Sequence, residues 1–192
     1  MVAQRLNQTA HILLAGGFVM ILRAVLALVT LASTAIAESR NVYLESQDGA
    51  QIKIATIAFA SDGGYAVEMD DGPFSDHFLS MRPFRCLEGP KKHWCHVPYP
   101  YDINRNTNAD LVDLEYDFLF IWKGATEYGI NMWNGVYYKL AEEDGRLVGT
   151  LHEMDMDLLS APPEAGNLRP LKATDLHESD PGSHWLPRMV IE

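Results

Sequence analysis

Residues 131–156 carry the pattern that most restricts the fold. An apolar-rich segment runs from Asn131 to Ala141 and another from Arg146 to Met156, and Glu142-Glu-Asp-Gly145 stands between them. An extended chain turns alternate side chains to opposite faces, and an acidic turn ending in Asp-Gly reverses it, so the segment predicts a β-hairpin. Two strands alone are marginal in water, so a chain built around a hairpin needs more of them. Gln51 to Ala60 and Tyr65 to Asp70 predict a second antiparallel pair across Asp62-Gly-Gly64. His77 to Leu87 predicts a third strand, weakened by Pro83, and His93 to Val97 a fourth. Thr107 with Asp110 resembles a capping signal for a short helix from Ala109 to Glu115. Asp117 to Lys123 is apolar on both faces and predicts a central strand; beyond Leu159 the chain is loop-like until a last strand from Trp185 to Ile191. The expectation is a mainly β chain, a small antiparallel β-barrel or sandwich with one short helix. A barrel of about eight strands has room for one small ligand.

The fold must be sought after residue 37. Residues 1–37 contain no Asp or Glu, although the chain has 26 of them and a net charge of −11. Arg23 precedes the apolar run Ala24 to Ala32, and Ala35 and Ala37 fit a small-x-small cleavage site. Residues 1–37 therefore read as a signal peptide, with Met20 a candidate natural start, and residues 38–192 as a single β-rich domain. The alternative is an N-terminal anchor, since Ile12 to Ala37 is long enough to span a bilayer, though interrupted by Arg23. No second span of about 20 apolar residues follows, so no stable membrane span is expected after signal removal. The acidic balance argues against nucleic acid as a partner.

Cys86 and Cys95 are the two cysteines, and a Gly-Pro turn at Gly89-Pro90 lies between them. An exported protein sits in an oxidising compartment, so the expectation is a structural disulfide. A metal-binding or redox thiol pair is the alternative, but the spacing is not C-x-x-C.

Few residues offer chemistry. On a strand, His152, Met154 and Met156 share one face and Glu153, Asp155 and Asp157 the other. Imidazole and thioether suit copper; three carboxylates suit a hard cation. The plain alternative is a core face of methionines and a solvated acidic face. His93-Trp-Cys-His96 resembles a metal cluster, but its histidines fall on opposite faces. His77 with Asp76, and His177 with Glu178, are candidate acid–base pairs on adjacency alone. No nucleophile elbow, HExxH, P-loop or dinucleotide fingerprint is present, so the expectation leans against an enzyme. Aromatics crowd the middle of the chain. Among them Trp122, Tyr128, Trp133 and Tyr137 are candidate ligand-binding residues, around a Gly124–Asn134 loop suited to a barrel mouth.

The runs Met81-Arg-Pro-Phe-Arg-Cys-Leu-Glu-Gly-Pro-Lys-Lys-His-Trp-Cys-His-Val-Pro-Tyr-Pro-Tyr101, Trp122-Lys-Gly-Ala125, Gly129-Ile-Asn-Met-Trp-Asn-Gly-Val-Tyr-Tyr138 and Gly149-Thr-Leu-His-Glu-Met-Asp-Met-Asp157 together resemble a group of uncharacterised exported proteins of proteobacteria. The resemblance implies export from a Gram-negative cell and brings no activity, ligand or catalytic residue. The functional expectation is a periplasmic or secreted protein that binds a small molecule or an envelope component without a cofactor. The alternatives are periplasmic copper binding through His152, Met154 and Met156, and a His/carboxylate enzyme.

Overall fold

In the computed structural model, residues 38–79, 83–180 and 182–192 are described. The proposed signal peptide, its cleavage site and Met20 lie outside the described residues. The strands are β1 (Glu38–Glu45), β2 (Gln51–Phe59), β3 (Tyr65–Met69), β4 (Ser75–Phe78), β5 (Pro83–Glu88), β6 (Lys92–His96), β7 (Phe120–Gly124), β8 (Gly135–Glu143), β9 (Arg146–Met154), β10 (His177–Glu178) and β11 (Arg188–Ile191). Among the described residues there is one short α-helix, α1, over Val112–Asp117. The chain is mainly β, as its patterning predicts. Every strand pair is antiparallel, and the sheet runs β3-β2-β1-β11-β9-β8-β7-β6-β5-β4, with β10 paired beside β9.

The β8–β9 hairpin holds the register its sequence requires. Glu143 faces Arg146, and Asp144 and Gly145 both take positive φ. That is the two-residue turn whose twist matches the strands it joins.

The sheet curls into an open half-barrel, and alternation sorts its side chains. On the concave face Val42, Leu44, Ile54, Ile57, Trp94, Phe120, Tyr138 and Met189 form one buried cluster drawn from strands across the sheet. Through it runs a hydrogen-bonded chain: Trp94 Nε1 donates to Tyr138 Oη (3.0 Å), which donates to the Leu186 carbonyl (2.8 Å). Burial pushes the Tyr138 hydroxyl pKa well up, which keeps it a donor.

The convex face carries two smaller clusters. Tyr116, Leu119, Ile121, Tyr137, Met154 and Met156 form one, and Leu79, Phe84, Cys86 and Cys95 the other. Helix α1 has a specific place here. Strand β7 pairs with β8 only at Phe120–Val136 and Ile121–Gly135. Beyond that point the Leu140 N–H has no β7 partner, and the buried Glu115 carboxylate of α1 accepts it at 2.7 Å while also accepting from Tyr137 Oη.

Five expectations need correction. The single strand expected over His77 to Leu87 is two, β4 and β5, which pair with each other; Pro83 stands at the start of the second, where no ladder N–H is required. Helix α1 begins at Val112, and the oxygen at its start that accepts the Val112 N–H is Asp110 Oδ1 rather than Thr107. The segment Met132–Asn134 is a 3-10 turn before β8, capped by the Asn131 side chain, which accepts the Trp133 N–H. Strand β9 ends at Met154, Met156 opens a second 3-10 turn over Met156–Leu159, and β11 starts at Arg188 rather than Trp185. Strand β1, whose Glu-Ser-Arg-Asn opening hides its pattern, is a further strand the sequence does not signal.

Cys86 and Cys95 sit opposite each other on β5 and β6 and are joined as a disulfide. Closing a loop of this length removes about 2–3 kcal/mol of unfolded-chain entropy. Urea unfolding with and without reductant should show that difference, and Cys86→Ala with Cys95→Ala should match the reduced protein. An unchanged midpoint would mean that the hairpin and its apolar neighbours hold this edge without the bond.

Candidate functional site

One rim of the half-barrel gathers polar side chains. Alternation places Lys92 and Trp94 of β6, Trp122 of β7 and Glu153 of β9 on the concave side. The chain between β10 and β11 leaves the sheet at the same rim and lays His184, Trp185 and Leu186 over the core. Gly89, in the β5–β6 turn, gives Trp185 its room: a Cβ there would lie 2.5 Å from the Trp185 ring and 2.4 Å from the Lys92 carbonyl.

His184 is the centre of the cluster. Its ring is almost wholly buried, edge-on to Trp94 and tilted against Trp122. Nε2 lies 2.8 Å from Glu153 Oε1 and Nδ1 lies 3.2 Å from Lys92 Nζ. A carboxylate only accepts, so Nε2 carries the proton donated to Glu153 and Nδ1 presents a lone pair to the Lys92 ammonium. Lys92 Nζ also donates to the Ser183 carbonyl at 3.1 Å and sits 3.9 Å over the Trp122 ring. Burial lowers the His184 pKa, opposed by the Glu153 hydrogen bond and aided by the Lys92 charge. Burial also lowers that of Lys92, opposed by Glu153. No ion pair joins Lys92 to a carboxylate within 4 Å among the described residues.

Two cavities meet at His184. One, of about 510 Å³, is open and lined by Gln47, Asp48, Lys91, Lys92, Ser183 and Trp185 as well as His184. The other, of about 430 Å³, is lined by Thr150, His152, Glu178, Asp180 and Arg188 with His184 again. Both fall in the size range of small-molecule sites, and the first brings together an ammonium, an imidazole and an indole.

The residues singled out from the sequence are dispersed. Trp122 lies under Lys92 on the concave side, Tyr137 is buried in the convex cluster beside Tyr116, and Tyr128 and Trp133 are largely exposed on the β7–β8 connection. Met154 and Met156 are buried in that same convex cluster, while His152 Nδ1 contacts the carbonyl of Thr150 on its own strand. Glu153 goes to His184, whereas Asp155 Oδ1 accepts the Asp157 N–H, so the three carboxylates do not converge. Among the described residues no three His, Cys, Asp or Glu side chains form a metal cluster. His93 and His96 do face opposite ways, His93 against His77 and His96 against Phe120. The partner of His77 is Glu88 at 3.0 Å. Among the described residues no helix is long and apolar enough to cross a membrane.

Lys92 and His184 are the residues that sequence reasoning missed. The one signal available was Gly182-Ser-His-Trp185, where turn formers precede a His-Trp pair; reading Trp185 as the start of a strand concealed it. No protein-family model matches the chain, nor does any curated protein or solved structure.

Proposed function

We propose that the chain is an exported protein of the periplasm or the cell exterior that binds a small organic molecule at the rim of the half-barrel. The observation that carries this reading is the open cavity whose wall places Lys92, His184 and Trp185 side by side. The acid-free leader and the Cys86–Cys95 bond support export. The ligand fitting such a wall has a polar acceptor for the ammonium and a flat or apolar body for the indole.

Native mass spectrometry of protein secreted into a bacterial periplasm and purified without chelator tests the reading. A mass of a few hundred daltons present in the native spectrum and lost on denaturation is the expected result. Its absence, together with no saturable fluorescence change on titrating 8-anilinonaphthalene-1-sulfonate, would sink it. An added mass equal to one metal ion would favour the copper alternative instead. A second reading, a His/carboxylate enzyme, gains support from one contact, the hydrogen bond of Glu153 to His184, the residue that lines both cavities.

A further inference from the structure

We propose that Lys92 is a nucleophilic amine, activated by His184 and Glu153, that condenses with a small aldehyde or ketone entering the rim cavity. The inference rests on that cavity being the ligand site, and it names the chemical class the cavity takes.

The three groups form a line: Glu153 Oε1 to His184 Nε2 at 2.8 Å, and His184 Nδ1 to Lys92 Nζ at 3.2 Å. This is the order of groups that activates a weak nucleophile elsewhere, with a base next to the nucleophile and a carboxylate that orients the base. Both protonation states of the pair are satisfied. As an ammonium, Lys92 donates to the Ser183 carbonyl and His184 Nδ1 and turns its third proton to the Trp122 face. After its proton moves to Nδ1, the amine keeps two donations and its lone pair accepts from the imidazolium, whose other N–H remains on Glu153. The Trp122 face favours the ammonium. Burial opposes it, and the Glu153 carboxylate favours charge on the imidazole beside it.

The step balances without a further reactant. The amine turns its lone pair from the imidazolium to the carbonyl carbon and attacks it, a proton passes from the nitrogen to the carbonyl oxygen, and a neutral carbinolamine forms. His184 then returns the Nδ1 proton to the hydroxyl, which leaves as water as the nitrogen lone pair closes the C=N bond, giving a protonated imine. No bond is oxidised or reduced. The charged and titratable groups facing Lys92 are His184 and Glu153, and Lys91 and Asp48 share the open cavity.

The neighbouring lysine supplies the control. Lys91 lines the same cavity and is exposed. The folded protein is incubated at neutral pH with pyridoxal and sodium cyanoborohydride for short times. It is then cleaved with chymotrypsin, and the reduced adduct is located by fragment-ion mass spectrometry. Lys92 should be modified about tenfold faster than Lys91, and Glu153→Gln should bring the two rates together without slowing Lys91. Modification of Lys92 at the rate of Lys91 or below, in the unaltered protein, overturns the proposal whether or not the variant folds. A ligand mass in the native spectrum alongside a slow Lys92 would overturn this inference alone and leave the binding reading standing.

Discussion

Arg169→Ala should lower the stability of the protein by about 3–5 kcal/mol, the cost of leaving a buried charge without its partner. The Arg169 guanidinium donates through Nε to Asp113 Oδ1 at 2.7 Å and through Nη1 to Asp110 Oδ2 at 2.9 Å. The Asp113 side chain is 1% exposed, and its second oxygen has no other hydrogen-bond partner among the described residues. The Asp113 hydrogen bond raises the Arg169 pKa further, so the cation is never lost at usable pH. Arg169 also ties the loop-like stretch after Leu159 to α1. Leu171 N donates to Tyr116 Oη two residues further on, and burial holds the Tyr116 pKa up at about 12, so that hydroxyl stays neutral. Urea unfolding followed by tryptophan fluorescence measures the loss. Arg169→Lys should recover little, because one ammonium does not span both carboxylates. Arg169→Leu with Asp113→Leu should recover most of it, since removing both charges removes the burial penalty as well. A single-variant loss under about 1 kcal/mol would mean that Asp113 reaches water when its partner is gone.

The difference between what was and was not legible in the sequence follows from range. The β2–β3 and β8–β9 hairpins are local events, written in a turn with alternating residues on either side, and Asp144-Gly145 takes the backbone its sequence requires. The disulfide was legible because the same turn that separates the cysteines makes them partners across two strands. Pairing of β1 with β11 joins opposite ends of the described chain, and nothing local to Glu38–Glu45 announces it. The site was illegible for the same reason. Lys92, Glu153 and His184 come from three distant segments, and no local pattern links them. Alternation divides the aromatic band, Trp122 to one face and Tyr137 to the other, and a 3-10 turn carries Trp133 out to solvent.

Glu115 is an acid within an apolar run, Leu114-Glu-Tyr-Asp-Phe-Leu-Phe120, that the sequence gives no reason to single out. Its replacement by alanine should cost about 2–4 kcal/mol, because the Leu140 N–H and the Tyr137 hydroxyl would lose their acceptor inside the protein. Glu115→Gln keeps an acceptor for the Leu140 N–H and removes the buried charge, so it should unfold within about 1 kcal/mol of the natural protein at neutral pH. The two proteins should part company on the acid side. Burial is the largest influence on Glu115 and raises its pKa above the ordinary value of 4.5, more than the hydrogen bonds from Tyr137 and Leu140 lower it. A carboxyl with a raised folded pKa binds its proton more readily in the folded chain than in the unfolded one. Its favourable contribution is complete below the unfolded value and is lost as the pH rises through the folded one. On going from pH 7 down toward 4.5, the natural protein should therefore gain stability relative to Glu115→Gln, and the gap should level off below 4.5. Taking the difference between the two proteins cancels the other carboxylates, which both share. Unfolding free energies at several pH values decide the matter. A gap that stays flat, or that narrows as the pH falls, would mean that the carboxylate is held in its charged form by the backbone and Tyr137, and that α1 meets β8 through a buried anion at every pH.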